Sequence, residues 1–519
     1  METNRIVIIL IRQNRELTRK SYTLLFYLLH TQRKVEMKNT PILLSISAFF
    51  TSSIGLGQSI HAENNQRPNI VLIIADDISK RDVGCYGNTF VKTPNIDALA
   101  KDGLRFTNVF LTASSSSPSR ASIITGRYPH NTGACELHSP IGDEQIFFPN
   151  LLQNAGYYTA QAGKWHISRP AKTCFDRSGG ALEDGGGESG CKKWVTFLHE
   201  RPKDKPFFMW FASHDAHREF WDKELDETYD ETTVVPSPFL INDKNTRKDL
   251  AGYYNEITRF DSYVGDVIQE LKNQNVLDNT IVIVMADNGR DFPRAKTLLL
   301  EDGIMTPFIV HLPPGMSKKN IQCNSLLSSI DIAPTLLELA GVDSMPKSFQ
   351  GRSFCGLFKN PNKKFRNYVF AEHNWHVYEA YERMVCTDQY LLIENKRPNL
   401  PGRGTVGSPS DKSLVKAYEK GTLTHLQQEL FQLPRKDVVL FDRKKDSDQI
   451  HDLSETKKAL SAEMLSILHT WQTETDDTLP LYLKPDRNKE GTLTPELKEK
   501  IEMPGASKNA ILNRKSGPF

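Results

Sequence analysis

Asn69-Ile70-Val71-Leu72-Ile73-Ile74-Ala75-Asp76-Asp77 is the stretch that decides the fold. Its apolar residues run from Ile70 to Ala75 without a polar break, and two acids close it. A strand with one wet face alternates polar and apolar residues. An unbroken run reads as a strand covered on both faces, the condition of a parallel sheet. Residues 206–212 (PFFMWFA) repeat the pattern and end at Ser213-His214-Asp215. Residues 280–286 (TIVIVMA) repeat it again and end at Asp287-Asn288-Gly289, and 307–312 make a fourth strand.

Helical patterns separate these runs. Between 250 and 272, Ile257, Phe260, Val264, Val267, Ile268 and Leu271 recur at helical spacing. A second helix is expected over 331–340, closed by Gly341. Strands alternating with helices imply an α/β fold, a mostly parallel central sheet sandwiched by helices. Ligands of such sheets bind along the carboxyl edge of the strands. Asp76, Asp77, His214, Asp287 and Asn288 are therefore expected to converge. Asp76-Asp77 and Asp287-Asn288 bring four oxygen donors, a set that suits a hard divalent cation such as Ca²⁺ or Mg²⁺.

The texture changes after residue 355. Short strands are expected at 365–370, 390–394 and 437–441, and a helix at 459–473. They make a smaller C-terminal α+β domain with an antiparallel sheet. The chain divides into a catalytic domain over 67–355, this second domain over 356–480, and a polar tail over 481–519. A length of 519 residues agrees with one large and one smaller domain. The net charge of +2 excludes a broad nucleic-acid surface, so any anion site must be local.

Met37-Lys38-Asn39 followed by the apolar stretch 41–57 reads as a secretory signal over 37–62, with 1–36 an upstream extension. The apolar run is short for a bilayer, so no stable membrane span is expected once the signal is removed. Seven cysteines leave at least one unpaired. Cys174 and Cys191 bracket a glycine-rich loop and are candidates for a local disulfide in an export compartment.

The chemistry centres on Ser116-Ser117-Pro118-Ser119-Arg120-Ala121-Ser122-Ile123-Ile124-Thr125-Gly126-Arg127. This run resembles the signature of the type I sulfatases, C/S-x-P-S-R-x-x-x-x-T-G-R. The resemblance extends from Asn69 to Leu453 and includes Thr93-Pro94-Asn95-Ile96-Asp97 and Gly163-Lys164-Trp165-His166. Within the family the chain is most similar to the heparan N-sulfatase branch. That likeness rests on Leu137-His138, on residues 214–218 (HDAHR), and on residues 287–296, Asp287 to Lys296 (DNGRDFPRAK).

The resemblance implies an alkaline-phosphatase-like fold and oxidation of Ser116 to formylglycine, whose hydrated form attacks sulfur. It implies one Ca²⁺ bound by Asp76, Asp77, Asp287 and Asn288 together with residue 116. Arg120 and Lys164 would hold formylglycine and sulfate, and His166 would assist the diol. His214 would protonate the leaving group, and Lys296 would contact a sulfate oxygen. Serine at position 116, where many relatives carry cysteine, implies a bacterial radical-SAM maturating enzyme as partner and a periplasmic or secreted location. The substrate expected is a sulfated polysaccharide or oligosaccharide fragment, cleaved at an O-sulfate ester or an N-sulfate. Cations around the site stabilise the charge that grows on the leaving atom.

The alternatives are a phosphatase or phosphodiesterase of the same superfold using unmodified Ser116, and a catalytically dead carbohydrate-binding relative. A generic sulfate pocket leaves selectivity to its rim. His138, His217, Arg218 and Arg294 flank site segments. His376 and Arg383 lie in a His/Tyr-rich stretch of the C-terminal domain. These six are the expected substrate-binding residues.

Overall fold

The central strand is β1 (Asn69–Ala75), buried along its whole length. The other strands of its sheet, in chain order, are β2 (Leu104–Phe106), β3 (Tyr158–Gly163), β4 (Arg177–Gly179), β5 (Phe207–Ala212), β6 (Thr280–Ala286), β7 (Phe308–His311) and β8 (Ile321–Cys323). The computed structural model describes residues 67–182, 185–220, 225 and 227–477. The expected extension, signal and polar tail lie outside the described residues.

Across the sheet the order is β4-β3-β5-β1-β6-β7-β2-β8. β1 pairs in parallel with β5 and with β6, and only β7 runs against its neighbours. The reversal of β7 has a local cause. Parallel neighbours need a long crossover, usually a helix. The segment from β6 to β7 instead carries the irregular chain from Asp287 to Lys296 and one short helix, Glu301–Ile304.

Alternate residues of β1 feed two cores. Ile70, Leu72 and Ile74 face one layer, where α1 (Ser116–Thr125) and α3 (Ile332–Leu339) pack. Val71, Ile73 and Ala75 face the other, covered by α2 (Lys244–Asn273). The Asp243 side chain caps α2 by accepting from Thr246 N at 2.9 Å. The helices therefore form where periodicity placed them, with α2 starting six residues before the apolar stripe. Cys174 belongs to the first core and Cys191 to the second, on opposite faces of the sheet. That separation corrects the expected disulfide: none of the seven cysteines is in a disulfide.

The second sheet is an antiparallel meander of β9 (Val369–Trp375), β10 (Glu379–Cys386), β11 (Tyr390–Asn395) and β12 (Val438–Asp442). One face shares a core with Phe110, Leu299 and Ile304 of the first region. The other is covered by α4 (Lys458–Glu474), whose Trp471 stacks on Phe370 at 5.0 Å. The described residues from Arg67 onward thus make one compact unit.

The first strand of this sheet lies later than the 365–370 expected, and β10 escaped sequence reading altogether. Its residues Glu379-Ala380-Tyr381-Glu382-Arg383-Met384-Val385-Cys386 carry three charges, yet all eight are buried. Each charge has a partner: Glu379 with Arg397, Glu382 with Arg435, and Arg383 with Asp477.

Arg383 was an expected substrate residue. It is instead fully buried, and its Nη2 donates to Asp477 Oδ1 at 3.0 Å. Beside this pair, Asn131 Nδ2 donates to Thr475 O at 2.7 Å, and His130 pairs with Glu372. The network ties the end of α4 to the loop that follows α1. Arg383→Met is expected to lower stability by about 3–5 kcal/mol, because it leaves Asp477 buried without its counter-charge. Denaturant unfolding measures this. A loss below about 1 kcal/mol would show that the pair contributes little.

Candidate active site

Ala75 pairs with Ala286 in register, so the acids that follow each strand emerge side by side. One carboxylate oxygen from each of Asp76, Asp77 and Asp287 lies within 4.8 Å of the others. All three residues are fully buried, as is Asn288. Asp77 turns the chain with φ of 59°, and its backbone N–H donates to Asp287 Oδ1 at 3.3 Å.

α1 delivers Ser116 to this cluster as its first residue, and Gly126 ends the helix at φ of 63°. Ser116 Oγ lies 3.1 Å from Asp76 Oδ1 and 3.0 Å from Asn288 Oδ1. Three cations answer the three acids. Lys164 pairs with Asp76, Arg120 Nε with Asp287 Oδ2 at 2.7 Å, and Lys296 Nζ with Asp77 Oδ2 at 2.7 Å. Lys164 reaches in because Gly163, at φ of 90°, ends β3 against β5. A Cβ there would sit 2.0 Å from Ala212 O.

Two buried groups remain unsatisfied. The Ser116 hydroxyl has one proton for two facing acceptors, so Asp76 and Asn288 together offer more oxygen than the chain can satisfy. A divalent cation with oxygen ligands meets that excess. The donor set therefore fits the Ca²⁺ that the resemblance implied. Nη1 and Nη2 of Arg120 are also buried and have no hydrogen-bond partner. A guanidinium left so exposes donors for an anion, and the desolvation cost of leaving it empty is substantial.

The electrostatics are divided. Burial raises Asp76, but Lys164, His217, Arg120 and Lys296 outweigh it and hold the carboxyl well below its ordinary value. For Asp77 burial wins, helped by Asp76, Asp291 and Asp287, and the group is pushed well up. Burial also raises Asp287, against Arg120.

Above Ser116 opens a cavity of about 640 Å³. Its ionisable lining is Lys164, Lys296, His138, His166, His214, His217 and His376. Gly163, Ala171, Ser178, Gly179 and Ala181 make its uncharged wall, with Gln161, Trp165 and Leu182. The histidines are held neutral. Burial, then Lys164, takes His166 down to about 2 and His214 to about 4. Burial, then Lys296, takes His217 to about 4. His166 Nε2 lies 3.0 Å from His138 Nδ1.

The structure thus brings together Asp76, Asp77, Ser116, Arg120, Lys164, His166, His214, Asp287, Asn288 and Lys296. Of the expected rim residues, His138, His217 and His376 join them. The three arginines do not. Arg218 pairs with Asp249 and Asp291 and lies over the Phe220 and Phe292 rings. Arg294 donates to Asp448 O at 2.8 Å and covers Phe239. Arg383 sits inside the second sheet. Nearness in sequence misled here, because a guanidinium that leaves water takes the nearest carboxylate, carbonyl or ring. The uncharged wall was missed because its residues are small. Only Gln161, a lone amide in the buried strand β3, carried a signal.

A family model described as sulfatase matches residues 68–183 and 188–342. A second, for the C-terminal region of N-sulphoglucosamine sulphohydrolase, matches 294–398. Human N-sulphoglucosamine sulphohydrolase is 30% identical over 476 residues, 82% of this chain and 94% of its own. An ulvan-active sulfatase of Formosa agariphila is 27% identical over 431 residues, 80% of this chain and 82% of its own. A solved structure of a protein in complex with its substrate D-glucosamine-2-N,6-O-disulfate shares the fold. Its TM-score is 0.63 at 21% identity, covering 81% of this chain and 100% of that one. The signature helix, the sheet that carries it and these matches agree: the chain belongs to the sulfatase family of sulfuric ester hydrolases, in the branch of the N-sulphoglucosamine sulphohydrolases.

Proposed function

We propose that this sulfatase is exported and removes sulfate from sulfated glucosamine units of glycosaminoglycan fragments, N-sulfate foremost, with formylglycine at position 116. The observation that carries the reading is the end of Arg120, buried without a hydrogen-bond partner and 4.0 Å from the Asp76 carboxylate that also faces Ser116 and Lys164. A tetrahedral monoanion with several acceptor oxygens matches that set of donors. The N-sulfate preference is supported by the match of 294–398 to the C-terminal region of N-sulphoglucosamine sulphohydrolases, a segment that includes Lys296 and His376.

Asp76, Asp77, Asp287, Asn288 and residue 116 would hold Ca²⁺, which when bound supplies positive charge and acidifies a hydroxyl it touches. The aldehyde at 116 supplies, once hydrated, one hydroxyl that attacks sulfur and a second whose deprotonation expels sulfate. The remaining steps belong to the chain's own residues. Arg120 and Lys164 hold sulfate oxygens at the base of the cavity, and Lys296 approaches from the Asp77 side. Their charge acts most strongly as negative charge builds on the leaving atom. His214 stands at the end of β5, where it can pass a proton to that atom. His214 is neutral when the site is empty, with its pKa down at about 4. An incoming anion opposes the Lys164 field and raises its proton affinity. His166 takes or returns the diol proton. The uncharged wall receives the sugar.

The maturating partner is a radical-SAM enzyme, and the location is periplasmic or secreted. Among the described residues no helix is long and apolar enough to cross a membrane. Mass analysis of the tryptic peptide containing residue 116 is expected to show a species about 2 Da below the serine form. The same preparation should release sulfate from glucosamine N-sulfate faster than from its 6-O-sulfate, and Ser116→Ala should abolish both. Sulfate release by the alanine variant would defeat the mechanism, and a faster 6-O reaction would move the substrate to the ester.

Chelation with EDTA is expected to lower both activity and the thermal midpoint, and added Ca²⁺ to restore them. A ligand bound only by the native state stabilises it by mass action. An unchanged midpoint in metal-free protein would remove Ca²⁺ from the site.

A further inference from the structure

Ser115 is the N-cap of α1, yet its side chain makes no capping bond. The sequence removes one of the two N–H groups a cap would use. An N-cap hydroxyl accepts from the second or third helical N–H. The third helical residue is Pro118, which has none. Ser115 Oγ turns the other way and lies 2.8 Å from His376 Nδ1. Ser117, the residue after 116, holds a second histidine by its backbone: its Oγ accepts from the main-chain N–H of His138 at 2.9 Å. Both serines are buried, at 3% exposure each.

His376 and His138 come from distant parts of the chain. His376 follows β9 in the second sheet, and the end of that strand is tied to the loop before His138. Leu137 N donates to Trp375 O at 3.2 Å, and Asn374 Nδ2 to Cys135 O at 3.1 Å. His138 holds φ of 62°, a conformation a non-glycine residue keeps only when its surroundings impose it. Both imidazoles line the cavity. With Nδ1 of His376 engaged by Ser115, its Nε2 is the nitrogen left to face a ligand.

We propose that Ser115 and Ser117 are positioning residues whose hydroxyls fix His376 and His138 against residue 116, so that sugar recognition and the nucleophile share one register. The inference rests on the reading of residue 116 as nucleophile and of the cavity as the sugar site. Residue 116 and the rim then move as one unit. Loss of Ser115 frees the His376 imidazole and loss of Ser117 frees the main chain that carries the His138 ring, and either weakens binding of the saccharide more than it weakens attack on sulfur.

Two double-mutant cycles test this in the calcium-loaded enzyme, with rates normalised to the formylglycine fraction measured by peptide mass. One pairs Ser115→Ala with His376→Ala, the other Ser117→Ala with His138→Ala. The substrates are an N-sulfated glucosamine disaccharide and a small aryl sulfate. Each serine variant is expected to lower the disaccharide-to-aryl ratio of kcat/KM about tenfold, mostly through KM. In the background lacking the histidine, the same serine change should cost less than about twofold, the signature of coupled residues. Ser115→Thr, which keeps the hydroxyl, should restore the ratio, and it remains informative if Ser115→Ala folds poorly. Losses that multiply independently, or equal losses on both substrates, overturn the positioning role. An enzyme active on aryl sulfate with independent losses does so while leaving the sulfatase reading intact.

Discussion

Three carboxylates and three cations share a space from which water is excluded, and the rest of the molecule is arranged around that fact. Asp76, Asp77 and Asp287 repel one another, and no strand would end in such a cluster without compensation. Arg120, Lys164 and Lys296 provide it pair by pair. Each comes from a different element: the signature helix, the end of β3, and the irregular chain after β6. The three must be brought to one point before any of the acids can be buried. The parallel sheet does this cheaply, because its carboxyl edge gathers the strand ends into one row.

The compensation is incomplete by design of the residues present. Asp76 and Asn288 face Ser116 with one oxygen too many, and Arg120 keeps two nitrogens unpartnered. An excess of acceptors and an excess of donors stand close together, with Arg120 Nη2 4.0 Å from the Asp76 Oδ1 that faces Ser116. The first calls for a cation and the second for an anion, so the site is built to be completed by both. Two of the arginines expected at the rim are paired with carboxylates instead. Arg383 has Asp477, and Arg218 has Asp249 and Asp291. The contrast marks the site more sharply than the charges alone do.

Much of this was legible beforehand. The unbroken apolar runs of β1, β5 and β6 exposed the parallel sheet, and the acids at their ends exposed its working edge. The spacing of Ser116, Pro118, Arg120 and Gly126 carried the family. What failed to show shares one cause, the pairing of charges at long range. β10 looks polar in isolation, and only Arg397, Arg435 and Asp477, all later in the chain, make its burial possible. The rim arginines failed for the same reason, since their partners are invisible from neighbouring residues. The reversal of β7 was equally hidden, because direction depends on the connection and not on composition.

Every residue of the signature helix, from Ser116 to Thr125, is buried. In the finished fold Ser116 is 1% exposed and lines a cavity, so an enzyme that had to grasp the chain on both sides of it would act before the fold closes. The order of the chain leaves time for it. Residue 116 is made before Lys164, before β6 and its acids, and long before His376 and Asp477. Until those partners exist, the helix has only the part of its core contributed by β1, β2 and the residues just before it. The layout of the fold therefore sets a clock: the interval between making residue 116 and closing the sheet over it is when the segment around it is most open to another protein.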